Sequence, residues 1–425
     1  MNKIAICACT FVALSWQTST ALADSYTPFD IMLKGDAFFT TGYVHQNADV
    51  GMQTVEVMNQ FRLNVIPTAT ADNGLTYGAR MRLRASLSSG LIDADLAYLF
   101  ARGSFGTVEL GTQFDPNMVY HVIAPSNFGT GGIDGDWAIG SVGWIQNQLT
   151  FLEPYFGGGY TVTTFVKEAN RVNYLTPRLF SDGARDKGLL AWGSYAPANR
   201  DVFTAVRRSF VNTDAVGNHP YGYGKTTAFS NCLGAGAPLG CNYRDVYELG
   251  WRYDQTLAGI RVSGGASRIA GSTVRINFGT PQSFYDLTAW QAGLQLGFGG
   301  FLIGGSYLNA GRSAYPQQSL ATGRLYQEDQ YTWTAGLSYE TGPIAIGFNY
   351  QSGHDAGDLT VPGARTANLY AVGITYQLAP GLSTALEAMR STTHNETGFV
   401  SDPLGFRAVA SGNADLFLWK TQVTF

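Results

Sequence analysis

Apolar and polar residues alternate with a period of two along much of the chain. Leu75, Tyr77, Ala79, Met81, Leu83, Ala85 and Leu87 occupy one set of positions, and Thr76, Gly78, Arg80, Arg82, Arg84 and Ser86 the other. Successive strand residues point to opposite faces, so this segment reads as β-structure with one apolar and one basic face; a helix would scatter the arginines around its circumference. Val55, Val57, Phe61, Leu63 and Val65 likewise oppose Glu56, Gln60, Arg62 and Asn64. Tyr331, Trp333, Ala335, Leu337 and Tyr339 oppose Thr332, Thr334, Gly336 and Ser338, and Ile344, Ile346, Phe348 and Tyr350 oppose Ala345, Gly347, Asn349 and Gln351. The pattern predicts strands near 33–45, 52–66, 74–88, 93–103, 106–114, 169–178, 187–196, 244–254, 258–268, 286–297, 300–309, 328–340, 343–353, 366–378, 381–391 and 415–425, sixteen in all.

The links between these strands alternate in length. Short ones fall at TADNG, GSFG, SDGARDK, QTLA, GFGG, ETGP and LAPG, each rich in turn-forming residues. Longer pieces rich in Gly, Asn, Asp and Pro lie between them, the largest around 115–168 and 197–243. Seven turns and eight loops join sixteen strands and leave both termini on the turn side. Strands of about 10 residues with one apolar face, short turns at one end and long loops at the other are the pattern of an antiparallel transmembrane β-barrel. In a soluble sandwich so many apolar faces would need partner sheets. No solenoid repeat and no recurrent blade motif is present.

The chain ends carry separate signals. The first 23 residues hold one basic residue, Lys3, an apolar stretch from Ile4 to Leu14 and an Ala21-Leu22-Ala23 cleavage pattern. They read as a secretory signal peptide, leaving a barrel over 24–425. Cleavage removes Cys7 and Cys9 and leaves Cys232 and Cys241. In an exported protein this close pair reads most simply as a loop disulfide, with free thiols as the alternative; a zinc pair lacks nearby His partners. At the other end Phe417, Trp419, Thr421, Val423 and Phe425 share one strand face. A terminal Phe on an alternating strand resembles the C-terminal signature read by the outer-membrane assembly machinery of bacteria.

Composition narrows the class further. At 45% hydrophobic residues the chain is too apolar for disorder, yet no run of 18 uncharged apolar residues offers a helical span. The 52 Gly, 25 Phe and 23 Tyr favour β-structure. A formal charge of −4, or −5 after loss of Lys3, gives no reason to expect nucleic acid as a partner.

With these segments in hand, the chain resembles the general diffusion porins of Gram-negative bacteria. LKGDAFFTTGY, LTYGARMRLRA, ARGSFGTVELGTQFDP, RVNYLTPRLF, LYAVGITYQLAPGLSTALEA and the strand ending at Phe425 carry the resemblance, with GSFGTVELGTQFDP the most specific. The resemblance implies a homotrimer of sixteen-stranded barrels in the outer membrane, among lipid and lipopolysaccharide. Each barrel would hold a water-filled pore narrowed by an inward-folded third external loop. That loop carries GTGGIDGDWAIGS here, and the link over 86–92 is short.

Candidate pore residues follow from the same faces. Arg80, Arg82 and Arg84 stand about 6 to 7 Å apart along one strand. Facing lipid, each would cost about 2–4 kcal/mol near the midplane, so they are expected to face the lumen, with Arg62 joining the ladder and Lys34 or Arg171 as further contributors. A basic wall opposite an acidic element sets a transverse field across a narrow passage. Asp134 and Asp136, among glycines in the longest early loop, are the acidic candidates; the resemblance places them inside the barrel opposite the arginines. Asp115 reads as a turn cap.

No catalytic pattern accompanies His45, His121, His219, His354 or His394, and Asp355 and Asp358 lack the spacing of a calcium loop. The chain therefore reads as a non-enzymatic channel for passive diffusion of small hydrophilic solutes and ions, with no cofactor and no metal. The alternative is a substrate-specific channel for sugar or phosphate, against which most strand aromatics fall on the apolar face. A barrel enzyme or an adhesin is a further class. The arginines argue for anion preference and the net charge for cations.

Overall fold

The computed structural model describes residues 29–46, 54–85, 92–135, 168–181, 186–198, 240–276, 285–313, 317–318, 328–355, 364–402 and 405–425. Sixteen strands form a closed barrel: β1 (Asp30–Gln46), β2 (Val55–Thr70), β3 (Thr76–Ala85), β4 (Ile92–Gly103), β5 (Gly106–Phe114), β6 (Glu168–Leu175), β7 (Gly188–Ala198), β8 (Gly240–Leu257), β9 (Ile260–Ile276), β10 (Leu287–Phe298), β11 (Phe301–Gly311), β12 (Gln330–Thr341), β13 (Ile344–Asp355), β14 (Arg365–Ala379), β15 (Leu382–Asp402) and β16 (Gly405–Thr424). Each strand pairs antiparallel with its sequence neighbours. β1 closes the ring on β16, from Asp36 opposite Thr424 to Gln46 opposite Ala414. Closure leaves no strand edge unpaired, the condition for a sheet to exist in hydrocarbon.

The alternation read from the sequence sets which face is which. Glu248 is 1% exposed while its neighbour Leu249 is 68% exposed, the inverse of a soluble protein. Leu294, Phe298, Ile303, Leu337, Phe348, Val372, Ile374, Leu386, Phe417 and Trp419 are exposed in the same sense. This outer face is apolar all round, as lipid requires, and the polar positions between point into the lumen.

Two of the short links show why their residues were chosen. Ala258 and Gly259 join β8 to β9, and Gly299 and Gly300 join β10 to β11, all four with positive φ. Positive φ at both central residues gives the two-residue hairpin whose twist matches the strands it joins.

The structure departs from the sequence expectation at the last hairpin. Strands expected over 381–391 and 415–425 run on, with Gly398–Asp402 pairing Val409–Gly405 beyond a register shift after His394. Pairing needs only backbone, so a hairpin projecting past the membrane need not alternate in hydropathy, and period-two reading misses it. The expected signal peptide over 1–23 lies outside the described residues, as do Asp136 and Cys232. Cys241 is in β8, and the proposed pairing with Cys232 is therefore not described.

Candidate functional site: a lumen divided between an arginine wall and a docked loop

The third loop leaves β5 at Asp115 and enters the barrel. Asp115 caps the short helix α1 (Pro116–Tyr120), its Oδ1 accepting from the Met118 N–H at 2.7 Å, as a turn cap should. Asn117 fixes the helix to three strands. Its backbone N–H donates to Glu248 Oε1 at 2.8 Å, its Nδ2 donates to Gln291 at 3.0 Å, and its Oδ1 accepts from Ser267 at 2.7 Å. Trp192 donates its indole N–H to the same Glu248 oxygen at 2.8 Å, and Tyr120 packs on the Trp192 ring at 5.6 Å. Arg252 donates to the His121 carbonyl at 3.3 Å.

From there the chain follows the inner wall strand by strand. Gln295 of β10 donates to the Ile123 carbonyl at 2.8 Å, and Thr334 of β12 accepts from the Ala124 N–H at 3.2 Å. Asn349 of β13 serves two points of the loop, donating to the Pro125 carbonyl at 2.9 Å and accepting from the Ile133 N–H at 3.2 Å. Thr375 of β14 donates to the Gly129 carbonyl at 3.2 Å. Glu387 of β15 accepts from both the N–H and the hydroxyl of Thr130. The segment thus spans the inner faces of β8 to β15.

Glycines on that wall make room for it. A Cβ at Gly293 would fall 1.8 Å from the Val122 carbonyl oxygen, and one at Gly347 would fall 2.1 Å from the buried ring of Phe128. Both lie on inward positions, so the missing side chains form the trough in which the loop lies.

The other part of the wall carries the arginines. Arg62 on β2 grips Asp36 on β1, with Nε and Nη2 at 2.8 to 3.1 Å from its carboxylate oxygens. Arg80 on β3 bonds Asn64 Oδ1 through Nε at 2.9 Å and Nη2 at 2.7 Å, and reaches the Tyr98 hydroxyl at 3.4 Å. Arg82 stands 4.8 Å above the Phe114 ring. In the ladder Asp36 is opposite Arg62, Arg62 opposite Arg84, and Arg84 opposite Asp93, so charge runs acidic, basic, basic, acidic across β1 to β4. Asp36, 2.8 Å from Arg62, offsets part of the repulsion between the two facing arginines.

Asp134 closes the 3-10 turn Gly132–Asp134, which packs on β13 and β14. From β14 round the closure through β15, β16, β1 and β2 to β3 is five strand steps, where a diametric position is eight. Asp134 therefore lies on the loop-bearing side of the lumen but oblique to the arginines. Arg171 does not belong to the arginine row. It is buried on β6, 3.9 Å from Glu248, beneath the start of the third loop. Lys34 is an exposed residue of β1, opposite Asn64. Glu248, Glu387, Asn349 and the wall glycines are the residues that sequence reading missed. Each carboxylate stood on a polar face between outward apolar neighbours, in YELGW and ALEAM, and that placement was the available signal.

The sequence profile described as Gram-negative porin matches residues 8–396. The chain belongs to the Gram-negative porin family. This porin is 23% identical over 400 residues to an uncharacterized protein of Rickettsia prowazekii, covering 86% of each chain. An anion-selective porin from Comamonas acidovorans has the same fold, with a TM-score of 0.55 at 14% identity over 93% of this chain and 100% of that one. The outer membrane channel DcaP of Acinetobacter baumannii has a TM-score of 0.55 at 11% identity over 94% and 99%. The in-vitro folded, trimer form of the outer membrane protein OmpT of Vibrio cholerae has a TM-score of 0.54 at 12% identity over 94% and 100%. The porin is a diffusion channel of the Gram-negative outer membrane.

Proposed function

We propose that this porin passes small hydrophilic solutes and ions passively, through a constriction bounded by Arg62, Arg80, Arg82 and Arg84 on one side and by the third loop, with Asp134 and Asp136, on the other. No bond is made or broken; size and charge select. The division of the lumen supports the reading, because the segment from Asp115 to Gly135 is held on β8 to β15 while the arginines stand on β2 and β3.

Small anions are preferred. Arg80 takes neutral partners, Asn64 and Tyr98, and so keeps its charge for the passage. Glu248 and Glu387, two acids of the inner wall, are buried under the loop. In a narrow low-dielectric passage fixed cations raise the local anion concentration. One fold neighbour is described as anion-selective and another as a trimer. The assembly proposed is accordingly a homotrimer, exported with loss of residues 1–23 and inserted among lipid and lipopolysaccharide by the machinery that reads Phe425. The Cys232–Cys241 disulfide remains part of this reading.

The decisive measurement is the zero-current potential across a planar bilayer under a salt gradient. The wild-type channel is expected to show anion preference, and joint replacement of Arg80, Arg82 and Arg84 by Ser to move the potential toward cations. An unchanged potential would show that these residues do not line the constriction.

A further inference from the structure

Outside the constriction, a cavity lies between the third loop and the turn-side end of the wall. It has a volume of about 350 Å³ and is lined by Pro125, Ser126 and Asn127 of the loop and by Arg261, Gln295, Leu302 and Glu340 of the wall. Arg261 follows the Ala258-Gly259 turn, and Glu340 precedes the turn at Gly342, so the cavity faces the mouth opposite the long loops.

Its two charges are opposed and separate. Arg261 is opposite Gly297 in the ladder, and Gly297 is opposite Leu302. A Cβ at Gly297 would fall 2.9 Å from Arg261 Nε and 3.1 Å from Nη2, so the guanidinium lies across the bare strand β10 toward β12. The ladder continues from Leu302 to Ser338, two residues before Glu340, so three strand spacings of about 4.8 Å and that offset put the Arg261 and Glu340 backbones roughly 16 Å apart along the wall, with the guanidinium reaching into that gap. The nearby acid Asp254 is already committed, to Arg252 at 2.8 Å, Arg178 at 3.2 Å and Ser263 at 2.8 Å. Among the described residues Arg261 therefore has no carboxylate within ion-pair distance. Glu340 lines the cavity beside Asn127, which donates to its Oε1.

We propose that this cavity is a subsite for zwitterionic solutes of the α-amino acid class, with Arg261 receiving the carboxylate, Glu340 the ammonium, and Gln295 and Ser126 supplying hydrogen bonds. A guanidinium and a carboxylate held apart across one cavity fit a ligand carrying both charges, and each is weaker for a ligand carrying one. The proposal rests on the channel reading but is separable from it.

The test titrates the reconstituted full-length protein with glutamine, and in parallel with its N-acetyl derivative, which lacks the ammonium, and its α-amide, which lacks the carboxylate. Single-channel current and calorimetric binding in detergent are both read. Saturable binding of glutamine is expected, with block stronger when it is added on the turn side. Each capped analogue and each of Arg261→Gln and Glu340→Gln should weaken binding about tenfold, the loss of roughly one charge-assisted contact. Equal binding of all three solutes, or binding indifferent to both substitutions, overturns the subsite while an open channel persists. A protein without conductance overturns the channel reading, and the calorimetric series then decides the subsite by itself.

Discussion

Glu387 illustrates what single residues do in this lumen. It projects from β15 at an inward position, and its carboxylate accepts from the Thr130 backbone and hydroxyl. Replacing it with Ala leaves a buried N–H without its acceptor, at a cost of about 1–3 kcal/mol, while every ladder hydrogen bond of the barrel survives. The expected outcome for Glu387→Ala is a barrel of normal stability whose third loop leaves its seat more often. Single-channel records should show more open-channel noise and a higher mean conductance, and quiet currents identical to wild type would show that Thr130 is held by other contacts. The arginines act differently at the same scale. Arg62 is held by Asp36 and Arg80 by Asn64, so each is positioned before a solute arrives. The shift toward cations expected on replacing Arg80, Arg82 and Arg84 by Ser belongs here.

Among the elements, the closure between β1 and β16 carries most of the consequence. Phe425 exchanges backbone hydrogen bonds with Gly35, at 2.7 Å and 3.0 Å, and so forms the last rung of the ring. Its ring lies over Gly35, where a Cβ would fall 2.7 Å from it, and 5.9 Å from the Phe61 ring on the outer face. The terminal aromatic therefore seals the seam of the closed barrel, and the proposed recognition of the strand end is a separate role that deletion tests. Deleting Phe425 should lower the amount assembled in the outer membrane with little change in the amount exported, measured by fractionation. Wild-type levels in the outer membrane would remove the recognition role. The third loop is the second decisive element. Between Asp115 and Gly135 it takes its path from wall residues on seven strands, and its backbone groups there bond side chains of Thr, Asn, Gln and Glu.

For the whole molecule the balance is set by two solvents. An outer face carrying Leu249, Phe298 and Trp419 would expose an apolar surface far larger than water tolerates on a monomer, and a bilayer removes that cost. Inside, polar positions and a docked loop leave a passage for water. The assembled protein is expected to have three times the protomer mass in mild detergent, measured by sedimentation or native mass spectrometry. A stable monomer at all concentrations would overturn the trimer while leaving the channel intact, since each barrel is closed on itself.

The alternation of Tyr331 to Tyr339 and of Ile344 to Tyr350 was legible because lipid on one side and water on the other force a period of two on every spanning strand. The Gly-rich turns were legible for the same local reason, that two-residue hairpins need positive φ. The sequence by itself therefore determined strand number, order, the lipid-facing side and the inward direction of Arg80, Arg82 and Arg84. What it left open depends on contacts between residues far apart in the chain. Thr130 meets Glu387 and Asn117 meets Glu248 only because the ring closes and the loop crosses its interior. Arg171, read from its strand as a possible pore charge, is buried beside Glu248, and Asp134 lies oblique to the arginines because Asn349 and β14 hold its turn. Tertiary structure alone decided which charges face the passage and which anchor the loop, because period two tells inside from outside but not which part of the inside is covered.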